Sequence, residues 1–148
     1  MQFQIHDPNG MTDVASDICA RAAIVVQREA RACVCTLSGD LGAGKTTLVQ
    51  AIARELGIAD TIQSPTFVIR KSYTTTDPVI TQLIHIDAYR LESGSELTKL
   101  HFHEDLQQQK TLICLEWPER IADLKLVPDI QITIEHAGEN ERIVTILP

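Results

Sequence analysis

The chain has 148 residues, of which 44% are hydrophobic, and its 13 basic and 20 acidic residues give a net charge of −7. That length suits a single domain, residues 1–148, built on one core. The acidic balance argues against a protein that grips nucleic acid or an anionic membrane by itself. No signal peptide or membrane-length apolar run is visible, so a cytoplasmic location is expected.

Phe3-Gln4-Ile5 alternates and reads as a short opening strand, followed by a turn at Asp7-Pro8-Asn9-Gly10. A helix is predicted from about Asp13 to Arg31, with apolar Val14, Ile18, Ala22, Val25 and Val26 at helical spacing. Thr12 is its candidate N-cap. Cys33 to Ser38 is small, β-branched and apolar, as expected of a buried parallel strand.

Gly39-Asp40-Leu41-Gly42-Ala43-Gly44-Lys45-Thr46 then matches the phosphate-loop pattern G-x-x-x-x-G-K-[ST]. Residues 47–56 place apolar side chains at helical spacing, and Gly57 supplies a stop. The motif therefore lies between a strand and a helix, the context its chemistry needs. Its glycines let the backbone come close to a ligand. Its N–H groups and the helix N-terminus suit an anion. Lys45 brings a charge to the β- and γ-phosphates, and the Thr46 hydroxyl can ligate Mg²⁺.

Thr61 to Ile69 reads as a loop entering a strand, because Pro65 bars a helix. Ser64 and Thr66 in this loop either reach a γ-phosphate or its Mg²⁺, or simply belong to a turn. Thr75-Thr76-Asp77-Pro78 joins two strands. The second runs from Ile80 to Ile86 and ends in Asp87. Thr111 to Leu115 is another apolar strand, and it ends in Glu116. Acids at strand ends beside a phosphate loop are how a metal-organising carboxylate is presented.

Between these strands, Glu92 to Leu106 reads as one helix. Pro118 suits the first turn of a short helix reaching about Leu124. Trp117 either stacks on a base or partner, or packs in the core. Ile130–Glu135 and Arg142–Ile146 alternate cleanly and predict a terminal hairpin. Cys19, Cys33, Cys35 and Cys114 have no metal-type spacing and read as buried reduced thiols. His101 and His103, two apart on a predicted helix, do not face each other and suggest no metal site.

Taken together, GDLGAGKTT (39–47), SPTF (64–67), HIDAYRL (85–91) and LEWPER (115–120) resemble the TsaE family, also called YjeE, over nearly the whole chain. These are small P-loop ATPases of tRNA N6-threonylcarbamoyladenosine synthesis. The resemblance implies an α/β P-loop NTPase fold with a mixed parallel and antiparallel sheet flanked by helices. It implies ATP and Mg²⁺ as ligands. It implies work in complex with TsaD and TsaB, ATP hydrolysis resetting the complex, and contact with tRNA only through those partners.

By position, Leu41, Gly42, Ala43, Gly44 and Lys45 would wrap the phosphates, with Thr46 and Thr47 completing the nucleotide site. Thr46 and Glu116 would organise Mg²⁺. Asp87 matches the acid that positions or activates water, and with Lys45 and Thr66 makes the candidate catalytic set. Trp117 lies in the segment that senses nucleotide. The Gly138 hairpin and the start of the first helix lie where the family holds adenine. The sequence departs from the family near His101, where a glycine is usual, and in a longer segment before the phosphate-loop strand.

Two rivals to an ATPase are a nucleotide-gated interaction module with little hydrolysis and a small-molecule kinase. The kinase reading lacks an arginine-rich lid. Arg90, on a predicted exposed turn, serves an interface, catalysis or an ordinary salt bridge.

Overall fold

The structure, a computed structural model, describes residues 1–60, 62–63 and 68–147. Seven strands form one sheet: β1 (Gln2–Ile5), β2 (Cys33–Ser38), β3 (Arg70–Thr74), β4 (Gln82–Asp87), β5 (Thr111–Glu116), β6 (Ile130–His136) and β7 (Arg142–Leu147). Their spatial order is β1-β7-β6-β2-β5-β4-β3. The pairs β6–β2, β2–β5 and β5–β4 are parallel. The outer pairs β1–β7, β7–β6 and β4–β3 are antiparallel. The sheet is thus mixed, with a parallel centre, and helices flank it as expected.

One face carries α1 (Met11–Arg28) and α2 (Lys45–Glu55). Their buried Val14, Ile18, Ala22, Leu48 and Ile52 pack with Cys35, Leu37, Leu83, Leu112 and Cys114 from alternate strand positions. The other face carries α3 (Gly94–Thr98), α4 (Phe102–Leu106) and a 3₁₀ stretch (Pro118–Leu124). There Leu97, Phe102 and Ile121 meet Val34, Ile84, Ile86, Ile113 and Leu115. Period-two alternation along β4 and β5 therefore decides which side chains face α2.

Several boundaries differ from the sequence reading. Helix α1 begins at Met11 and its N-cap is Gly10, not Thr12. A 3₁₀ turn over 8–10 feeds straight into it, and Asp7 does the side-chain capping by accepting from Asn9 N–H at 2.7 Å. The helix ends at Arg28, because Glu29 is already extended. Strand β4 starts at Gln82, since Asp77 Oδ1 holds the amides of Val79 and Ile80 in the preceding turn. The single helix expected over 92–106 is two short helices, separated at His101, whose φ of 65° is left-handed. All four cysteines are free and buried. Burial pushes the Cys19 and Cys33 thiols up to about 12, so they stay protonated and inert.

Candidate functional site

The phosphate loop runs from the C-terminal end of β2 to the first turn of α2. The carboxyl ends of β2, β4 and β5 lie side by side, the usual place for a ligand in a parallel sheet. Gly39 leaves β2 where a Cβ would meet the Ile134 carbonyl oxygen at 2.5 Å, so a glycine is required there. Gly44 caps α2 at φ 111°, a conformation costly for any residue with a side chain. Arg142 of β7 donates to the Ala43 carbonyl at 3.2 Å and ties the terminal hairpin to the loop.

Lys45 and Thr46 open α2. The Lys45 ammonium donates to the carbonyls of Gly39 (2.5 Å) and Asp40 (3.0 Å) and lies 4.2 Å over the Trp117 ring. Burial lowers its pKa, and the charges of Glu116, Glu119, Asp87 and Asp40 partly offset that. Thr46 Oγ1 donates to the Glu116 carboxylate, at 3.1 and 3.2 Å from its two oxygens.

Asp87 and Glu116 are register partners on β4 and β5. They end their strands on the α2 side, and both are buried. Asp87 Oδ1 accepts from the Tyr89 amide at 3.0 Å. The two carboxylates and Lys45 thus share one small volume, the charge arrangement phosphoryl chemistry uses.

A cleft of about 310 Å³ is lined by Leu41, Gly42, Gly44, Lys45, Thr46, Thr47, Asp87, Tyr89, Glu116 and Trp117. A second, of about 410 Å³, shares Gly42, Gly44 and Thr47 with it and adds Ala43. It continues past Ile5, His6, Pro8 and Met11 to Asn140 and Arg142 of the hairpin. The predicted phosphate-loop residues and both strand-end acids are therefore brought together. Thr66, with Ser64, lies outside the described residues.

Among the described residues no group of three or more His, Cys, Asp and Glu side chains stands ready to cage a metal. The Thr46 hydroxyl and Glu116 carboxylate are hard oxygen donors in contact with each other. They fit Mg²⁺, which takes few protein ligands and fills the rest with water and phosphate oxygens.

Trp117 follows β5 in the left-handed region, at φ 60°. Its ring centroid is 5.0 Å from that of Tyr89, and Arg120 stands 5.4 Å over Tyr89. It is half-buried, packs against the core and also walls the cleft. Sequence reasoning missed two residues here. The sequence reads Arg142 only as the start of a strand. His85 lies two before Asp87, hence on the same face, and its Nε2 is 2.5 Å from Glu116 Oε2. The i, i+2 spacing from Asp87 was the available signal.

The family model for "Threonylcarbamoyl adenosine biosynthesis protein TsaE" matches residues 7–144. The tRNA threonylcarbamoyladenosine biosynthesis protein TsaE of Bacillus subtilis is 43% identical over 113 residues, 76% of this chain and 67% of that protein. Its counterpart from Rickettsia felis is 39% identical over 75% of this chain and 63% of its own length. The Nostoc protein is 36% identical over 78% of this chain and 70% of its own. The crystal structure of Bacillus subtilis YdiB superposes with a TM-score of 0.72 and 30% identity, covering 99% of this chain and 83% of that one. No helix among the described residues is long and apolar enough to cross a membrane. With a family model spanning most of its length and relatives of this similarity, the chain belongs to the TsaE family.

Proposed function

We propose that the chain binds ATP with Mg²⁺ at the phosphate loop and hydrolyses it in support of tRNA N6-threonylcarbamoyladenosine synthesis. The observation carrying this is the Thr46–Glu116 contact, with Asp87 beside Glu116 in register, at the N-terminus of the phosphate-loop helix. Residues 41–47 hold the nucleotide's phosphates, and Thr46 and Glu116 hold the metal. Bound Mg²⁺ would neutralise charge across the β- and γ-phosphates. Lys45 adds a second positive charge there. Asp87 orients the attacking water, and a loose transition state asks little proton removal of it. The cleft between the start of α1 and the β6–β7 hairpin takes the base. TsaD and TsaB are the proposed partners, and hydrolysis resets their complex between turnovers.

A second reading is a nucleotide-gated docking module. Leu41, 73% exposed, and the exposed Tyr89 ring rim the cleft, so bound nucleotide and a partner would share one surface. One variant set separates the two. Lys45→Ala should abolish tight ATP binding in calorimetry. Asp87→Ala should bind ATP within about threefold of wild type yet lose roughly 100-fold or more in phosphate release, the scale of a positioned acid–base group. In tRNA modification by the assembled complex, Asp87→Ala should then support one round but not many. Wild-type phosphate release by Asp87→Ala removes its assigned role. Many-round modification without hydrolysis favours the docking module.

A further inference from the structure

His85 is fully buried on β4, in a strand whose neighbours Leu83, Ile84 and Ile86 are apolar. Its Nε2 meets Glu116 Oε2 at 2.5 Å, while Nδ1 has no partner among the described residues. Buried polar atoms in a well-packed fold are nearly always paired. An imidazole with one orphan nitrogen is therefore a net burden to this strand, and an apolar residue would serve the core better. What offsets the burden is the contact with Glu116.

Glu116 accepts from two sides. Oε2 is held by His85 and also faces Thr46 Oγ1 at 3.1 Å, while Oε1 has Thr46 alone among the described residues, at 3.2 Å. A glutamate has three rotatable side-chain bonds, and a single shared hydroxyl proton does not fix its carboxylate plane. The diagonal placement supplies the second point. His85 pairs in register with Cys114, two residues before Glu116 on the same face.

We infer that His85 is a positioning residue: it anchors Glu116 Oε2, which fixes the carboxylate against Thr46 and leaves Oε1, the oxygen His85 does not hold, to face the metal. This rests on the reading of Thr46 and Glu116 as the Mg²⁺ site. Groups that orient a metal ligand typically change metal affinity by 10–100-fold when removed.

The test is calorimetry of ADP with and without Mg²⁺, on wild type, His85→Leu, His85→Gln and Glu116→Gln. Metal-free ADP should bind wild type, His85→Leu and His85→Gln alike. The gain in affinity on adding Mg²⁺ should fall about tenfold in His85→Leu. His85→Gln, whose amide nitrogen can reach the same oxygen, should recover most of it. In a Glu116→Gln background, His85→Leu should cost nothing further, as expected of residues acting through one group.

The inference is overturned if His85→Leu keeps the full Mg²⁺ gain, if it weakens metal-free ADP binding equally, if glutamine fails to rescue, or if the losses add. A wild type with no Mg²⁺ gain, or a Glu116→Gln that keeps it, would instead bring down the metal-site reading and this inference with it. His85→Met replaces the leucine variant if that one does not fold.

Discussion

Asp129, just before β6, ties its own segment to the start of β2. Its carboxylate accepts from Arg31 Nη1 and Nη2 at 2.9 and 2.8 Å and from the Val34 amide at 2.8 Å, and its own N–H donates to the Val34 carbonyl. Burial pushes the carboxyl up, but the Arg31 and Val34 hydrogen bonds and the Arg31 charge outweigh it, and the group sits below the usual aspartate range. With the folded value below the unfolded one, near 3.9, the contribution is whole above about pH 4. It is lost as pH falls through the folded value. Asp129→Asn should therefore destabilise the protein at pH 7 by about 1 kcal/mol, modest because Arg31 is 41% exposed and screened. The gap to wild type should shrink below about pH 4. Urea unfolding at pH 7 and pH 3 checks this, and an equal gap at both would refute it. At this scale the site was legible where chemistry is written within one segment. Lys45 and Thr46 declare themselves by spacing, and Asp87 and Glu116 by ending apolar strands. Asp129 and His85 did not, because their roles come from neighbouring strands in register, which no local pattern encodes.

At the scale of elements, the boundary between α3 and α4 shows where periodicity misleads. In one continuous helix His101 would share a face with Leu97. Instead Leu97 and Phe102, five apart, are both buried, and His101 absorbs the extra residue by turning left-handed and staying exposed. Neither proline nor glycine marks the spot, so the sequence reads as unbroken helix. A glycine is what a left-handed backbone at this position calls for. His101→Gly should therefore stabilise the protein by about 0.5–1 kcal/mol, the relief of left-handed strain being partly offset by a freer unfolded chain. The Glu104 carboxylate, 3.8 Å from the His101 ring, is an exposed surface contact of little weight. Thermal unfolding of the two proteins is the measurement, and a lower midpoint for the glycine variant contradicts the argument. The strands and the terminal hairpin were, by contrast, legible, since alternation survives wherever a strand faces a core on one side. Their spatial order was not, because apolar strands do not name their neighbours.

Across the whole molecule, the mixed topology suits a nucleotide, while the charge does not suit a polynucleotide. The parallel centre brings three strand ends to one edge, and there a nucleotide can be held by groups within a few ångströms of it. A polynucleotide is held differently, by many cations spread along a surface, each neutralising a phosphate. This chain carries 13 basic against 20 acidic residues. Among the described residues Arg21, Arg31 and Arg70 are each spent on a carboxylate, at 2.7, 2.8 and 2.7 Å. At physiological salt, fields from exposed charges fade over roughly 8 Å, and the ten other basic residues are outnumbered by 20 acidic ones, so the chain has no excess of positive charge with which to hold a polyanion. A role in tRNA modification then requires that partner proteins hold the tRNA. The protein alone should give no gel shift with tRNA at about 0.15 M salt, whereas the assembled complex should. A submicromolar, salt-sensitive shift with this chain by itself would mean that the chain carries a tRNA-binding surface of its own, and that the division of labour between nucleotide and tRNA is wrong.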